Sequence, residues 1–330
     1  MKGPAFLIAA LLLALPAAAA EPPAALTPYV EDGALRAGDY GWVRGAFDGA
    51  RAEEKAAYES IVAWRDACQA EARSAMDAEV AALGAVLPAD GNLYGGPLLC
   101  RTAYPPKLEA FAQYAELESA SARGRPLFAS YMAAADRAES WALSNATTIG
   151  EQLQARSLGD QVLRNALILA WGRRGPFAGL NEAENAVLDS LFTNAALAHD
   201  LANTEWLKAH VAEHGWPTIS EAGPRGAHSA WLLAQHSDLD PAFQLRALQL
   251  MEPLAATGEA NAGNFALLSD RVSLKLTGKQ RYGTQLHCVD GSREPMPLKD
   301  AAGADALRAQ VGLGPLAEYV AAMNERGGPC

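Results

Sequence analysis

Apolar side chains recur every three or four positions along most of the chain. Between Ala50 and Ala85 they fall at Ala57, Ile61, Trp64 and Cys68 with Glu and Arg between them, which predicts an amphipathic helix closed by Gly84 and Pro88-Ala89-Asp90-Gly91. An irregular connector, Gly91 to Pro106, follows. Helices are predicted from Lys107 to Ala122 and from Pro126 to Asn145, with Phe111, Tyr114, Leu117, Phe128, Tyr131 and Met132 as packing residues. A polar turn, Asn145 to Gly150, precedes a new helical pattern through Leu153, Leu158, Val162, Leu163, Ala166 and Leu167. Beyond the loop Arg173 to Asn181, one helix carries Ala183, Val187, Leu188, Leu191 and Phe192. Another carries Leu201, Trp206, Leu207 and Val211 and stops at His214-Gly215. A helix is expected from Gly226 to His236, and Asp240-Pro241 reads as the N-cap and first residue of the next.

The period then shortens to two. Val272, Leu274 and Leu276 alternate, Thr277-Gly278-Lys279 supplies a tight connection, and Tyr282, Thr284 and Leu286 alternate in return, which predicts a hairpin over Arg271 to Val289. The fold class expected is therefore mainly α, a multi-helical body with one small antiparallel β-hairpin near residues 271–289. The polar turn at Gly150 divides a helical domain over 21–150 from a second over 151–330 that carries the hairpin.

Residues 1–20 change where this fold is expected to work. Lys2, the apolar run Phe6 to Leu15 and the small residues Ala18-Ala19-Ala20 have the layout of a secretory signal peptide, with cleavage after Ala20, and no later run is long enough for a transmembrane segment. A periplasmic or secreted protein is expected. Cys68, Cys100, Cys288 and Cys330 would then meet an oxidising compartment. Three pairings are open to them, and Cys68 with Cys100 and Cys288 with Cys330 is the economical one, since each bridge closes a loop within one half. The 27 basic and 38 acidic residues give a formal charge of -11, and no basic cluster exceeds Arg173-Arg174, so a nucleic-acid partner is not expected.

Costly polar and aromatic residues crowd together between His214 and Gln285. The segments Gly215-Trp216-Pro217-Thr218, Trp231-Leu232-Leu233-Ala234-Gln235-His236, Asp238, Asp240-Pro241, Phe243-Gln244, Asp270-Arg271 and Tyr282-Gly283-Thr284-Gln285, with weaker signals at Asp160-Gln161, Arg164 and Asn203, resemble a family of bacterial proteins known only as a domain of unknown function. The resemblance covers roughly residues 151–322. It implies one module and carries no activity.

Within that module His236 is the candidate general base, oriented by Asp238, with His228 on a second wall of the same pocket. Trp216, Trp231 and Gln235 are expected to line a polar cleft, because a buried indole and amide need partners. Arg271 and Arg281 are candidates for holding a carboxylate or other anion, with Tyr282 and Gln285 beside them. Asp160, Gln161 and Arg164 share one helical turn and complete the set. His210-Val211-Ala212-Glu213-His214 also spells an inverted zinc-protease motif, but Gly215-Trp216-Pro217 breaks the helix directly after it, and Glu221 or Glu252 are weak third ligands. No nucleophile elbow, phosphate loop or dinucleotide fingerprint occurs, and no cofactor is expected.

The function expected is binding of a small polar or anionic ligand in a pocket of the second domain. The alternative is a metal-independent hydrolase or lyase using His236, and a lesser one a zinc hydrolase using His210 and His214. An envelope component is the other candidate ligand, and residues 21–150 are the candidate surface for a protein partner.

Overall fold

The computed structural model describes residues 21–89 and 94–327, so the expected signal peptide lies outside the described residues. The chain forms a mainly helical body with two small antiparallel hairpins. The first pairs β1 (Val30–Glu31) with β2 (Ala34–Leu35). A long helix, α1 (Ala52–Ala82), follows and places Ile61, Trp64, Cys68, Ala72, Met76 and Val80 on its buried face. A short helix, α2 (Leu98–Thr102), is tied to it by a disulfide between Cys68 and Cys100, as the spacing suggested. Cys288 is not a free thiol, and its expected partner Cys330 lies outside the described residues.

Helix α3 (Tyr114–Asn145) runs without a break where two helices were expected, with Pro126 inside it. It continues because Leu117, Ala120, Gly124 and Phe128 share a buried face across the proline, and tertiary packing outweighs the lost backbone bond. Helix α4 (Ile149–Trp171) starts on a capping box in which Thr148 and Glu151 satisfy each other's backbone N–H groups. Helix α5 (Glu182–His214) has the same device at Asn181 and Glu184, and its two expected segments are one rod about 50 Å long. Helix α6 (Ile219–His236) is capped by Thr218 and Glu221 and kinks at Gly223, ahead of Pro224. Helix α7 (Pro241–Thr257) begins on Asp240, whose carboxylate accepts the Phe243 N–H at 2.8 Å, as expected.

The expected strand from Arg271 to Leu276 is helical instead. It belongs to α8 (Ala262–Thr277), and Gly278, expected in a hairpin turn, ends that helix in the left-handed conformation. Leu268, Val272 and Leu276 lie four apart, and this longer period prevails because it presents one stripe to the core, whereas the alternation spanned only five residues. The second hairpin is β3 (Leu286–Val289) with β4 (Ser292–Pro295), so its partner strand follows the expected segment and does not precede it. Two further helices, α9 (Ala304–Gln310) and α10 (Leu316–Gly327), close the described chain.

Two large apolar clusters hold these elements. One gathers Trp42, Ile61, Trp64, Leu117, Phe128, Leu163, Phe177, Leu188 and Phe192, and so draws on both sides of Gly150. The other gathers Leu153, Leu207, Trp216, Trp231, Phe243, Met251 and Leu268. Helices α4 and α5 contribute to both. The N-terminus of α4 meets α6 almost backbone to backbone, since a Cβ on Gly226 would lie 2.5 Å from the Cα of Gly150. No helix among the described residues is long and apolar enough to cross a membrane.

Candidate functional site

Asp160 projects from α4 and is almost fully buried. Its Oδ1 accepts from Arg164 Nε at 2.7 Å, one turn along the same helix. Its Oδ2 accepts from Gln161 Nε2 at 2.8 Å and pairs with His236 Nδ1 at 2.9 Å. Arg164 Nη2 donates in turn to both oxygens of Asp200 on α5, at 2.7 and 2.8 Å. Three helices thereby deliver two carboxylates, one guanidinium and one imidazole to a single cluster. The close α4–α6 crossing is what allows the C-terminal turn of α6 to bring His236 onto Asp160.

The cluster borders a cleft of about 320 Å³. Its walls are α1, the segment from Gly95 through α2, the middle of α5, and the turn from His236 to Asp240. His236 and Asp200 both line it, and the His236 side chain is 13% exposed. The Gly95 N–H donates to the Leu239 carbonyl at 2.7 Å and joins two of these walls.

Charge is unevenly matched here. Burial drives the Asp160 carboxyl up, but the His236 hydrogen bond and charge and the Arg164 guanidinium overcome it and hold the group below the usual carboxylate range. Burial pushes Asp200 up to about 8, with Arg164 opposing and the neighbouring Asp160 charge adding to the rise, because one guanidinium does not neutralise two buried carboxylates. Burial lowers His236 below its ordinary value, against the pull of Asp160. One acid whose proton is held and one base whose proton is lost thus face the same cleft near neutral pH.

Asp160, Asp200 and His236 each offer a ligand atom within 4.8 Å of the others, the only such metal-capable group among the described residues. Its donors are already engaged, however. Both oxygens of each carboxylate accept hydrogen bonds, three of the four from Arg164, whose guanidinium supplies the positive charge a cation would bring. The residues fit a proton-handling cluster better than a metal centre.

Of the residues singled out in the sequence, Asp160, Gln161, Arg164 and His236 come together. Asp238 does not orient His236. It accepts from Arg271 Nη1 at 2.6 Å and Lys275 Nζ at 2.7 Å, because the turn after α6 swings its carboxylate toward α8. Arg271 is consequently occupied by a carboxylate of the chain itself. Trp216, Trp231 and Gln235 are buried in the second apolar cluster or beside it and do not line the cleft, and the Trp231 indole N–H and Gln235 carbonyl lack partners. His228 is exposed, packed on Trp231 and bonded to Asn264. Arg281 is exposed over the Tyr282 ring.

Tyr282 and Gln285 belong to a structural knot. The fully buried Asp270 accepts the backbone N–H groups of Arg281, Tyr282 and Thr284 at 2.7–2.8 Å and the Thr284 hydroxyl at 3.0 Å. Gln280 holds the Gln285 backbone from the other side. The His210 and His214 rings lie tilted at 46° with centroids 4.9 Å apart, and the His214 side chain is 56% exposed next to Glu213. No third ligand joins them among the described residues. Glu221 serves as the α6 capping residue.

Three cleft residues were missed: Asp200, Arg101 and Glu79. Asp200 sits in mid-helix one turn before Asn203, which the sequence had marked, and the pairing of α4 with α5 is what brings it to Arg164. Arg101 and Glu79 lie in the first half of the chain, where no motif pointed. Burial brings the Arg101 guanidinium down to about 10 and raises the Glu79 carboxyl, with the Asp240 charge adding to the latter rise.

No curated protein and no solved structure matches the chain. Residues 179–328, which include Asp200, His236 and the Asp270 knot but neither Asp160 nor Arg101, match the model of a family of unknown function, DUF6624.

Proposed function

We propose that the cleft is an acid–base site in which His236 accepts a proton from a small polar ligand or a bound water and Asp200 donates one. The observation that carries this reading is the His236–Asp160 contact at the cleft wall. An ionised Asp160 accepts from Nδ1–H, which fixes the tautomer and leaves Nε2 with its lone pair and no protein partner among the described residues. Asp200, whose carboxyl is held protonated beside it, complements the base with an acid, and environments that drive two titratable groups apart are how such roles are assigned.

Among the described residues no hydroxyl or free thiol is poised as a nucleophile at this cleft. Ser237 Oγ donates to the Leu233 carbonyl, and Thr204 Oγ1 lies 2.7 Å from Ser237 Oγ, so neither hydroxyl addresses His236. The reaction class favoured is hydrolysis by water or elimination, without a covalent intermediate. The same lack of a nucleophile favours a second reading, a binding site that does no chemistry. In either case residues 21–150 supply one wall of the cleft and residues 151–330 the other. The Cys68–Cys100 bridge supports an oxidising compartment, periplasmic or extracellular.

Replacing His236 with Ala tests the choice. Wild type and H236A are incubated with a panel of small esters, amides and hydroxy acids, and products are followed by mass spectrometry alongside thermal melts. The acid–base reading expects turnover that rises as His236 deprotonates and falls at least about a hundredfold in H236A at unchanged melting temperature. Equal turnover by H236A, or no turnover by wild type of anything the cleft binds, overturns it in favour of the binding site.

A further inference from the structure

Two side chains on the cleft carry opposite charges without a direct ion pair among the described residues, although Asp240 and Glu205 act on one and Lys208 on the other from farther off. Arg101 is 6% exposed, and its guanidinium makes a single hydrogen bond, Nε to the Gly96 carbonyl at 2.9 Å. Its Nη1 is buried and has no hydrogen-bond partner, and Arg101 forms no ion pair among the described residues. An unpaired buried guanidinium is costly to keep, which makes it a site awaiting an anion. Glu79, an exposed residue at the same cleft on α1, has neither hydrogen bond nor ion pair among the described residues. The remaining cleft lysine, Lys208, is already bonded to Asp240 at 2.8 Å and Glu205 at 3.3 Å.

We propose that the cleft binds a zwitterion of amino-acid or dipeptide type, with its carboxylate on Arg101 and its ammonium group on Glu79. Nη2, the one guanidinium nitrogen neither bonded like Nε nor buried like Nη1, receives the carboxylate. A polyanion is disfavoured, because Glu71, Glu205 and Asp240 also face the cavity and their potential repels net negative charge. Ala72, Met76 and Leu239 give the ligand's side chain an apolar wall. A volume of about 320 Å³ is at the small end of ligand pockets, which limits the ligand to roughly dipeptide size. The inference rests on this cleft being the functional site and is independent of proton transfer by His236.

Calorimetry tests it with four probe sets: free L-amino acids, free alanyl dipeptides, their N-acetyl derivatives and their C-terminal amides. At least one free form is expected to bind in the millimolar range or better, with both derivatives weaker by about tenfold or more. Arg101→Met abolishes discrimination between free and amidated forms and, having lost an unpaired charge, melts no lower than wild type. Glu79→Gln abolishes discrimination between free and acetylated forms, and Arg101→Lys retains part of the binding. Absence of binding by every free form at millimolar concentration overturns the proposal, as does N-acetyl binding equal to that of the free form or undiminished binding by Arg101→Met. Following the His236 ring by NMR in the same samples separates the two ideas. A normal proton titration with no zwitterion bound removes this inference and leaves the acid–base reading standing.

Discussion

Single side chains here are legible through what they are bonded to. Asp160 and Asp270 are both buried aspartates, yet one is wired to an imidazole at the cleft and the other to backbone N–H groups in the interior. Asp160→Asn removes the carboxylate that draws a proton onto His236. The ring, already held low by burial, is expected to titrate lower still, which proton NMR of the wild-type and D160N histidines reads directly. Asp270→Ala leaves three backbone N–H groups and a hydroxyl without their acceptor. It is expected to cost about 3 kcal/mol or more in urea unfolding, with the cleft residues untouched until the domain melts. The sequence marked both residues as special without separating their roles. His236 lies 76 positions from the Asp160 it bonds and Asp200 lies 36 from Arg164, distances across which no local pattern carries information.

At the scale of elements, apolar stripes, glycine and proline stops and the Asp240-Pro241 start located most of the helices, because those signals are local. The prediction failed where two local signals competed. A proline within α3 suggested a break that packing overrides, and a short alternation in α8 imitated a strand. The placement of the cleft was illegible for a different reason: it depends on which helices cross. Helix α4 delivers Asp160 and α6 delivers His236 only because Gly150 and Gly226 let their backbones nearly touch. Gly226→Val forces them apart, and a destabilisation of about 1–3 kcal/mol is expected together with a lengthened Asp160–His236 contact. The test is a thermal melt paired with the NMR shift of the His236 ring. An unchanged ring environment would show that the crossing does not position the histidine.

For the whole molecule, acidity acts on the cluster in two directions. Asp160 and Asp238 are held below their ordinary values, by His236 and Arg164 in one case and by Arg271 and Lys275 in the other, both against burial. The stability they lend is complete above about pH 4 and is lost as the pH falls further. His236, depressed by burial, adds a loss that begins as the pH drops through about 6.5. Asp200 runs the other way. Its raised value of about 8 means that its contribution is full in acid and declines as the pH rises from about 4 toward 8. Asp200→Asn is therefore expected to flatten the decline between about pH 4 and 8 in a melting-temperature profile and leave the loss below pH 4 in place. An unchanged decline over that range in D200N would show that Asp200 is already ionised in the folded protein.

The bond between Cys68 and Cys100 sits one residue from Arg101, so it anchors the proposed ligand contact as well as a loop. Dithiothreitol or mercaptoethanol, added to a purification buffer out of habit, would slacken that anchor without unfolding the helical body. A preparation made in a reducing cytosol would then look well folded by circular dichroism and still test as inert.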